Sequence, residues 1–572
     1  MNLNLNNLVI KKPSFYFIFT TILCFITLLF IGDTTWRHID DYGPLKNLDD
    51  ADSIYKYLRL FTVGWGTYPP IWQYFTFFSY IFKFFGLDVV RFICFLYGFL
   101  SILISSILTY SICLSIKNFN IVKPKFSHNY FLEILSILVN VLNPEIILHS
   151  NSNMPYNLAS ISIQIIILLI FNIIKKDKNQ YNKNEYIIIN KDYFILITIF
   201  SILITFQSTI IILGFCLTLF IYFFINKIKI NINSIHEIKP ILIYRSYKNL
   251  FKYISNKYFK YILFITFTCF VLAYIFKLLL IVFYFQKQPG SWSNGINEIY
   301  KISNLLHNPL DTFSKIIFNL KSIITQSLYP FRSFQVEVSN LIFIVYIFNF
   351  ILLIQRNLAG RYFSVFSFFT ILITILLSSF GNFIFAPTRH TIFLYPLFWI
   401  PLIANLDYLF EKFRNKLISN IFLISLFCIF SFGCFSSIKA ISYSKENNIK
   451  LLNLLKNSDF YIEESYWPFS DISFNGTKEY KLTKNKKCSV KKISKKDQYK
   501  IFIYNHRYPF VSDEIQLDNL FNNNKECFNK NYSFSVLDQI EIENYKDIEQ
   551  NNFIFNGGSS LYAYLIKVEK FR

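Results

Sequence analysis

The chain has 572 residues, of which 53% are hydrophobic and 20% aromatic, and it carries a formal net charge of +22. Soluble domains spread their apolar residues more thinly, so this composition excludes an ordinary soluble protein and favours a multi-pass membrane protein. The lysines lie mostly in short stretches between apolar runs, with no nucleic-acid-binding module around them, which argues against nucleic acid as a partner.

The first predicted element is the apolar run at residues 15–32, which follows the basic pair Lys11 and Lys12. A signal peptide shares this pattern, but the run is long and no small-residue cleavage site follows it, so we interpret it as an uncleaved first membrane span. The sequence "WRHIDDYGP" begins after three further residues, at Trp36. Asp40 and Asp41 therefore form an acidic pair just outside the predicted span.

Windows of about twenty apolar residues, the length that crosses the hydrocarbon core, recur along the chain down to residue 439. The fold class predicted is mainly α, a polytopic bundle of about eleven transmembrane helices within residues 1–440. The predicted spans are residues 15–32, 92–116, 129–148, 158–174, 192–207, 209–225, 262–285, 341–355, 362–379, 391–406 and 417–439. The sequence "TFQST" is expected to form the turn between the fifth and sixth of them.

Basic residues in the loops predict the orientation, because translocation of positive flanks is disfavoured. With the N-terminus in the cytoplasm, the inner loops hold roughly twice as many lysines and arginines as the outer loops. An odd number of spans then places the C-terminus outside. Three outer segments are long enough to carry function: residues 33–91, 286–340 and 441–572.

The last of these segments, residues 441–572, is no longer apolar throughout. "NNIKLLNLLKNSDFYI" predicts a helix leading into a strand, and "YKIFIYN" and "SSLYAYLIKVEKF" predict further strands. We expect a small extracytoplasmic α/β domain that helps to bind the acceptor. Cys488 and Cys527 are the only cysteines in polar sequence, and they are predicted to form a disulfide.

The first outer loop continues from the acidic pair into "NLDDADSIYKYLRLF", which predicts a short amphipathic helix with Asp49, Asp50 and Asp52 at its N-terminal cap and first turn. "GWGTYPPIWQYFTFFSYIFKFFG" follows, and its tryptophans and tyrosines suit the bilayer interface. We therefore expect the loop to lie against the membrane.

The first outer loop of this chain contains an acidic pair, a short helix, and then Pro69, Pro70 and Ile71 ahead of an aromatic stretch that ends in "FG". In this order of features it resembles the first outer loop of the GT-C glycosyltransferases. The resemblance is to the protein O-mannosyltransferase and aminoarabinose-transferase branch, with its bacterial members that use lipid-linked sugars. A second motif of the family, an Arg-Tyr pair ahead of a proline-containing span, resembles the later segment "APTRHTIFLYPLFWIPL". The resemblance as a whole covers residues 1–440.

In this second motif Arg389, His390 and Pro396 occupy the matching places. The resemblance implies an inverting transfer of sugar from a polyprenyl-phosphate donor, with Asp40 as the general base and Asp41 supporting it. The chain departs from the family at this second acid, which is Asp where Glu is common, and at Asn157, where an acid would be expected.

The chemistry supports the same assignment independently. Moving a sugar from a polyprenyl phosphate to a hydroxyl needs a base for the acceptor proton and positive charge for the departing phosphate. A carboxylate of the first outer loop could be the base, and Arg389 could be the cation that binds the phosphate, because a guanidinium donates bidentate hydrogen bonds. His390 and Lys277 are further candidates for the phosphate, although Lys277 could instead extend to the headgroup layer.

Supporting positions complete the predicted site. His38 either orients a carboxylate or faces water, and Arg332 would help to hold donor or acceptor. Glu145 and His149 have helical spacing but supply only two ligands, so no metal site and no cofactor are predicted, and a divalent metal stays open. We expect Asp40, Asp41 and Arg389 to line one cavity at the outer interface.

Two other classes of protein stay open. A lipid-linked oligosaccharide flippase or another transporter would be polytopic as well, and so would an O-antigen polymerase or ligase. The chain contains no Gly-rich phosphate loop, which argues against a nucleotide-sugar donor used from the cytoplasm. The partners expected are the polyprenyl-phosphate sugar, a lipid, glycan or protein acceptor, and membrane lipids.

Overall fold

The computed structural model describes eleven stretches of the chain. They are residues 87–119, 130–141, 156–180, 207–233, 307–327, 336–379, 389–412, 460–463, 498–505, 532–542 and 561–570, with isolated positions such as Asn143, Phe385 and Asp459. This part of the chain is mostly helical, as the sequence predicts.

Eight α-helices and a 3-10 helix make up the helical part of the described stretches. They are α1 (Leu87–Lys117), α2 (Tyr130–Val141), α3 (Tyr156–Gln180), α4 (Gln207–Asn233), α5 (Pro309–Ser327), α6 (Val336–Arg356), α7 (Leu358–Ser379), the 3-10 helix Arg389–Leu394, and α8 (Tyr395–Lys412).

Three of these segments are long and apolar enough to cross a membrane: Gly98–Lys117, Leu358–Ser379 and Thr391–Phe410. The 22 residues of α7, for example, span about 33 Å at the α-helical rise of about 1.5 Å per residue. Shorter apolar stretches occur in α2, α3, α4 and α6. The predicted spans 15–32, 192–207, 262–285 and 417–439 lie outside the described residues, apart from a few positions in the first and Gln207 in the second, so the count of eleven stays a prediction.

The core of the bundle lies around α8. This helix packs against α1, α2, α5 and α6, and every residue from Thr391 to Pro401 is buried. Trp399 is among the largest side chains that are fully buried. An apolar helix without a polar face avoids water, either inside a protein core or in lipid, and the central position of α8 is one way to meet this requirement.

Small residues let α4 and α7 approach each other closely. A Cβ placed on Gly214 would lie 2.5 Å from Thr370 Oγ1, so the glycine is needed for the two helices to meet. On α7, Ser367, Thr370 and Thr374 each donate their hydroxyl to a carbonyl one turn earlier in the same helix. Small residues at helix contacts and internally bonded hydroxyls are typical of membrane helices.

Contacts between helices define two ends of the bundle. At one end, Phe131 near the start of α2 stacks on Phe410 near the end of α8, with ring centroids 4.7 Å apart, and Lys117 pairs with Asp407. We call this the Asp407 end. At the other end, Asn143 donates its amide to the carbonyl of Ser327, the last residue of α5.

The second end, which we call the Phe385 end, also receives α7 and the approach to α8. Phe385 donates its backbone N–H to Ser378 Oγ at 3.3 Å, and its carbonyl accepts a hydrogen bond from Asn319 Nδ2 at 3.0 Å. Lys117 and Arg356, which the loop charges assign to the cytoplasmic side, both lie at the opposite, Asp407 end.

Four strands of the tail form one sheet in the order β1-β2-β4-β3. They are β1 (Phe460–Glu463), β2 (Gln498–Asn505), β3 (Tyr532–Ile542) and β4 (Leu561–Lys570); β1 is parallel to β2, and the other two pairs are antiparallel. Two predicted strands coincide with β2 and β4, and the predicted helix-to-strand segment ends in β1. The boundary at residue 440, the side of the membrane and the pairing of Cys488 with Cys527 stay predictions, because those residues lie outside the described stretches.

Candidate functional site

The residues predicted to carry the chemistry fall mostly outside the described part of the chain. They are His38, Asp40, Asp41, Lys277 and Arg332. Arg389 and His390 are placed through their backbone, as the first two residues of the 3-10 helix. The predicted cavity shared by Asp40, Asp41 and Arg389 therefore stays a prediction.

The segment that carries Arg389 is held on both sides. Four residues before it, Phe385 is fully buried and is fixed by Asn319 from α5 and Ser378 from α7. After it, the chain enters the buried residues of the 3-10 helix and α8. Two buried anchors restrict the positions that the backbone of Arg389 can take.

The turn from the 3-10 helix into α8 explains the position of Pro396. Pro396 is the second residue of α8, within the first turn, where a backbone N–H has no helical partner and a proline is tolerated. The 3-10 helix also packs against α3. Arg389 and His390 thus begin a rigid element that is supported by the bundle core.

A second polar group of residues lies inside the bundle, between α1, α2 and α3. Ser105 Oγ donates to Asn140 Oδ1 at 2.8 Å and accepts from Gln164 Nε2 at 2.7 Å. Thr109 Oγ1 donates to Gln164 Oε1 at 3.2 Å, and Asn140 Nδ2 donates to the carbonyl of Ser136 at 2.8 Å. We call these residues the polar seam. All of its hydrogen bonds are neutral, so it joins three helices without adding a charge.

Two further hydroxyls lie one helical turn from the polar seam. Ser106 precedes Thr109 by three residues on α1, and Ser160 precedes Gln164 by four residues on α3. Both are buried, and neither Oγ has a hydrogen-bond partner among the described residues. A buried hydroxyl without a partner costs free energy, so these two positions are polar groups whose hydrogen bonding the described residues leave unsatisfied.

Acidic groups are also buried in the helical part. Glu133 on α2 is 2% exposed, and it lies on the same side of that helix as Ser136 and Asn140 by its three- and seven-residue spacing. Asp407 is paired with Lys117 at 3.0 Å. Within the described stretches, no group of three or more His, Cys, Asp or Glu side chains is arranged to hold a metal ion, and Glu145 and His149 lie outside them.

Our sequence predictions missed the polar seam and the buried acids, although the sequence contains a signal for them. Polar side chains inside an apolar span are costly unless they find partners in the bundle, and this marks Asn140 and Gln164 in particular. The sequence does not show which of these residues meet, because Ser105 and Gln164 are 59 positions apart.

No protein-family model and no curated protein matches the chain.

Proposed function

We propose that the protein is an integral-membrane glycosyltransferase that inverts the anomeric carbon, moving a sugar from a polyprenyl-phosphate donor to an acceptor hydroxyl on the non-cytoplasmic face. The observation that carries this proposal is the presence of two motifs in the sequence. The acidic pair Asp40–Asp41 begins eight residues after the first apolar run, and Arg389–His390 begins the 3-10 helix that leads into a proline-containing apolar helix. The helical fold and the three long apolar helices are compatible with it.

The proposed reaction assigns one role to each motif. The acceptor oxygen attacks the anomeric carbon of the sugar while the bond from that carbon to the phosphate oxygen breaks. Asp40 takes the acceptor proton, Asp41 supports it, and the polyprenyl phosphate leaves with the negative charge that Arg389 stabilises. His390, Lys277 and Arg332 would add positive charge or hydrogen bonds around the phosphate.

The position of the Arg389 backbone supports this role. It begins a 3-10 helix four residues after Phe385, whose carbonyl is bound by Asn319 of α5, a helix from the long outer segment 286–340. A cation that binds a lipid-linked phosphate has to lie near the end of the membrane helices, since the lipid tail remains in the bilayer. In the proposed topology, the Phe385 end faces the outside and the C-terminal sheet is extracytoplasmic.

The test of the base is Asp40→Asn, which keeps the size of the side chain and removes its basicity. We expect loss of sugar transfer with normal insertion and abundance, because a carboxamide cannot take the acceptor proton at neutral pH. Asp49→Asn is the matched control, since we assign Asp49 to a helix cap. Wild-type transfer by a folded Asp40→Asn variant would refute the proposed base.

The sugar and the acceptor can be identified by mass spectrometry of envelope glycans and glycolipids from cells with and without the gene. A single sugar residue missing from one acceptor is the expected result. A lipid-linked glycan that is complete but retained on the cytoplasmic side would instead indicate a transporter.

A lipid-linked oligosaccharide flippase is the second candidate, and the polar seam is the observation that favours it. Transporters bind polar substrates between their helices near the middle of the membrane. If the protein is a flippase, Gln164→Leu should abolish transport while Asp40→Asn has little effect. The glycosyltransferase proposal predicts the opposite order of these two effects.

A further inference from the structure

The two halves of α5 have opposite surroundings. In the C-terminal half, Ile323 and Ile324 are fully buried and Ser327 is 2% exposed. In the N-terminal half, Leu310 is 84% exposed and Phe313 is 61% exposed. An isolated exposed apolar residue is ordinary on a protein surface, but two large ones a turn apart on an amphipathic helix form a small apolar face.

Helical spacing places this face on one side of α5. Leu310, Phe313 and Ile317 follow at three- and four-residue intervals, so they share a side of the helix. Asp311 and Lys315 pair with each other at 2.6 Å on another side. The N-terminal half of α5 therefore has an apolar side next to a charged one.

Three anchors at its C-terminal half fix the depth of α5 in the bundle. Asn319 binds the carbonyl of Phe385, the carbonyl of Ser327 accepts from Asn143, and α5 packs against α6 and α8. Asn143 lies just past the end of α2, and Phe385 lies just ahead of the 3-10 helix that leads into α8. The anchored half of α5 therefore lies where membrane-crossing helices begin and end.

We propose that the N-terminal half of α5 is a membrane-docking surface, with Leu310 and Phe313 inserted at the boundary between lipid headgroups and acyl chains. A helix with one apolar and one charged side binds a bilayer at this depth. The lipid is favoured as the occupant because α6, which packs on α5, exposes a large apolar surface of its own: Ile344, Val345, Ile347, Phe348, Ile351 and Ile354. Acyl chains that cover this surface of α6 would also lie beside α5.

Charge supports the same occupant. α5 contains Lys315 and Lys321 against the single acid Asp311, so the helix has a small positive excess. Lysines beside an apolar face can reach anionic headgroups while their methylene stems remain against apolar groups. Since Asp311 is paired with Lys315, the apolar face and the one excess positive charge together match a lipid surface.

The test is photocrosslinking of the full-length protein in vesicles of phosphatidylcholine and phosphatidylglycerol at a ratio of about three to one, which provides anionic headgroups. The photoreactive residue p-benzoylphenylalanine replaces Phe313 in one variant, Leu310 in a second, and Asp311 in the matched control. All three positions are exposed, so the substitutions are expected to leave the fold intact. We expect about fivefold more lipid adduct at residues 310 and 313 than at 311, because only the apolar side would be immersed.

Each other outcome overturns the proposal. Equal lipid adducts at the three positions would mean that α5 does not present one side to the bilayer. Adducts at residue 313 to another segment of the same chain, or to a second copy, would mean that protein covers the apolar face. The measurement does not depend on sugar transfer, so it remains decisive whether or not the proposed function is correct.

Discussion

Two ion pairs in this protein are expected to contribute differently to stability, and their lengths alone would rank them in the wrong order. Lys117 and Asp407 lie 3.0 Å apart at the Asp407 end, with side chains 18% and 2% exposed, respectively. Lys315 and Asp311 on α5 lie closer, at 2.6 Å, but their side chains are 34% and 55% exposed. Water screens the second pair more than the first, so burial, and not distance, ranks their contributions to stability.

Their positions in the chain reinforce the contrast. Lys117 and Asp407 are 290 residues apart and join α1 to α8, whereas Lys315 and Asp311 are four residues apart within one helix. Arg356 adds to the first site by donating to the carbonyl of Ala404 at 2.6 Å and stacking over the ring of Tyr408 at 4.9 Å. Charged side chains therefore join helices at the Asp407 end, beside neutral contacts such as that of Asn357 Nδ2 with the carbonyl of Ile116, whereas the contacts described at the Phe385 end are neutral amides and hydroxyls.

The largest effect is expected for Asp407→Leu. The substitution removes the carboxylate that pairs with Lys117 beside α8, which should lower the free energy of unfolding by about 3 kcal/mol. Denaturant unfolding of the purified protein in detergent measures this loss. The double variant Lys117→Met/Asp407→Leu should recover most of it, since both charges are then absent. An equal loss in the double variant would show that the ion pair is not the cause.

The next largest effect is expected for Gln164→Leu in the polar seam, which tests whether neutral contacts match the buried ion pair. The substitution removes two hydrogen bonds and leaves Ser105 and Thr109 with fewer partners, at a cost of about 1.5 kcal/mol. Ser162→Ala is the control, because its hydroxyl bonds only to a carbonyl of its own helix. A loss at Gln164 as large as that of Asp407→Leu would remove the distinction between charged and neutral contacts.

The sequence predicted the positions of α6, α7 and α8, because the apolar run at 362–379 is close in length to the hydrocarbon core and the shorter runs at 341–355 and 391–406 lie within longer helical segments. The structure places α6 at Val336–Arg356 and α7 at Leu358–Ser379. It also begins α4 at Gln207, within the predicted turn "TFQST". The polar seam could not be predicted, because its partners depend on how three helices rotate against one another.

In the tail, β3 was not predicted although it alternates in the sequence at Tyr532, Phe534 and Val536. The structure gives a physical reason why this strand is hard to predict from the sequence. An irregularity between Val536 and Asp538 shifts the register, so Phe534 and Val536 lie on the opposite side of the sheet from Ile540. A single alternating pattern over the whole strand therefore does not correspond to one buried face.

The candidate site was predicted only in part. The proline-containing motif correctly indicated a helix after Arg389 and His390, and Pro396 lies in its first turn. The anchors of this segment, Asn319 and Ser378, could not be predicted, since they come from two other helices 66 and 7 residues away from Phe385. Their contribution depends on the tertiary structure alone.

A smaller effect is expected for Asn319→Leu at the Phe385 end, which tests how much one neutral contact contributes there. The hydrogen bond to the carbonyl of Phe385 is lost, and the free energy of unfolding should fall by about 1 kcal/mol. Thr325→Val on the same helix is the control, because its hydroxyl bonds only to the carbonyl of Lys321. If the two variants lose equal stability, the contact between α5 and Phe385 contributes nothing specific.

The smallest effect is expected for Asp311→Asn, which removes the shorter of the two ion pairs. Both partners are exposed and belong to one helix, so the free energy of unfolding should fall by less than about 0.5 kcal/mol, and the difference should shrink further in about 1 M salt. Asp311 also lies in the first turn of α5, where a negative charge interacts favourably with the helix dipole, and this contribution is included in the same small value. Denaturant unfolding at low and high salt, beside Asp407→Leu, measures both pairs on one scale. A loss at Asp311 equal to that at Asp407 would show that distance, and not burial, sets the strength of these pairs.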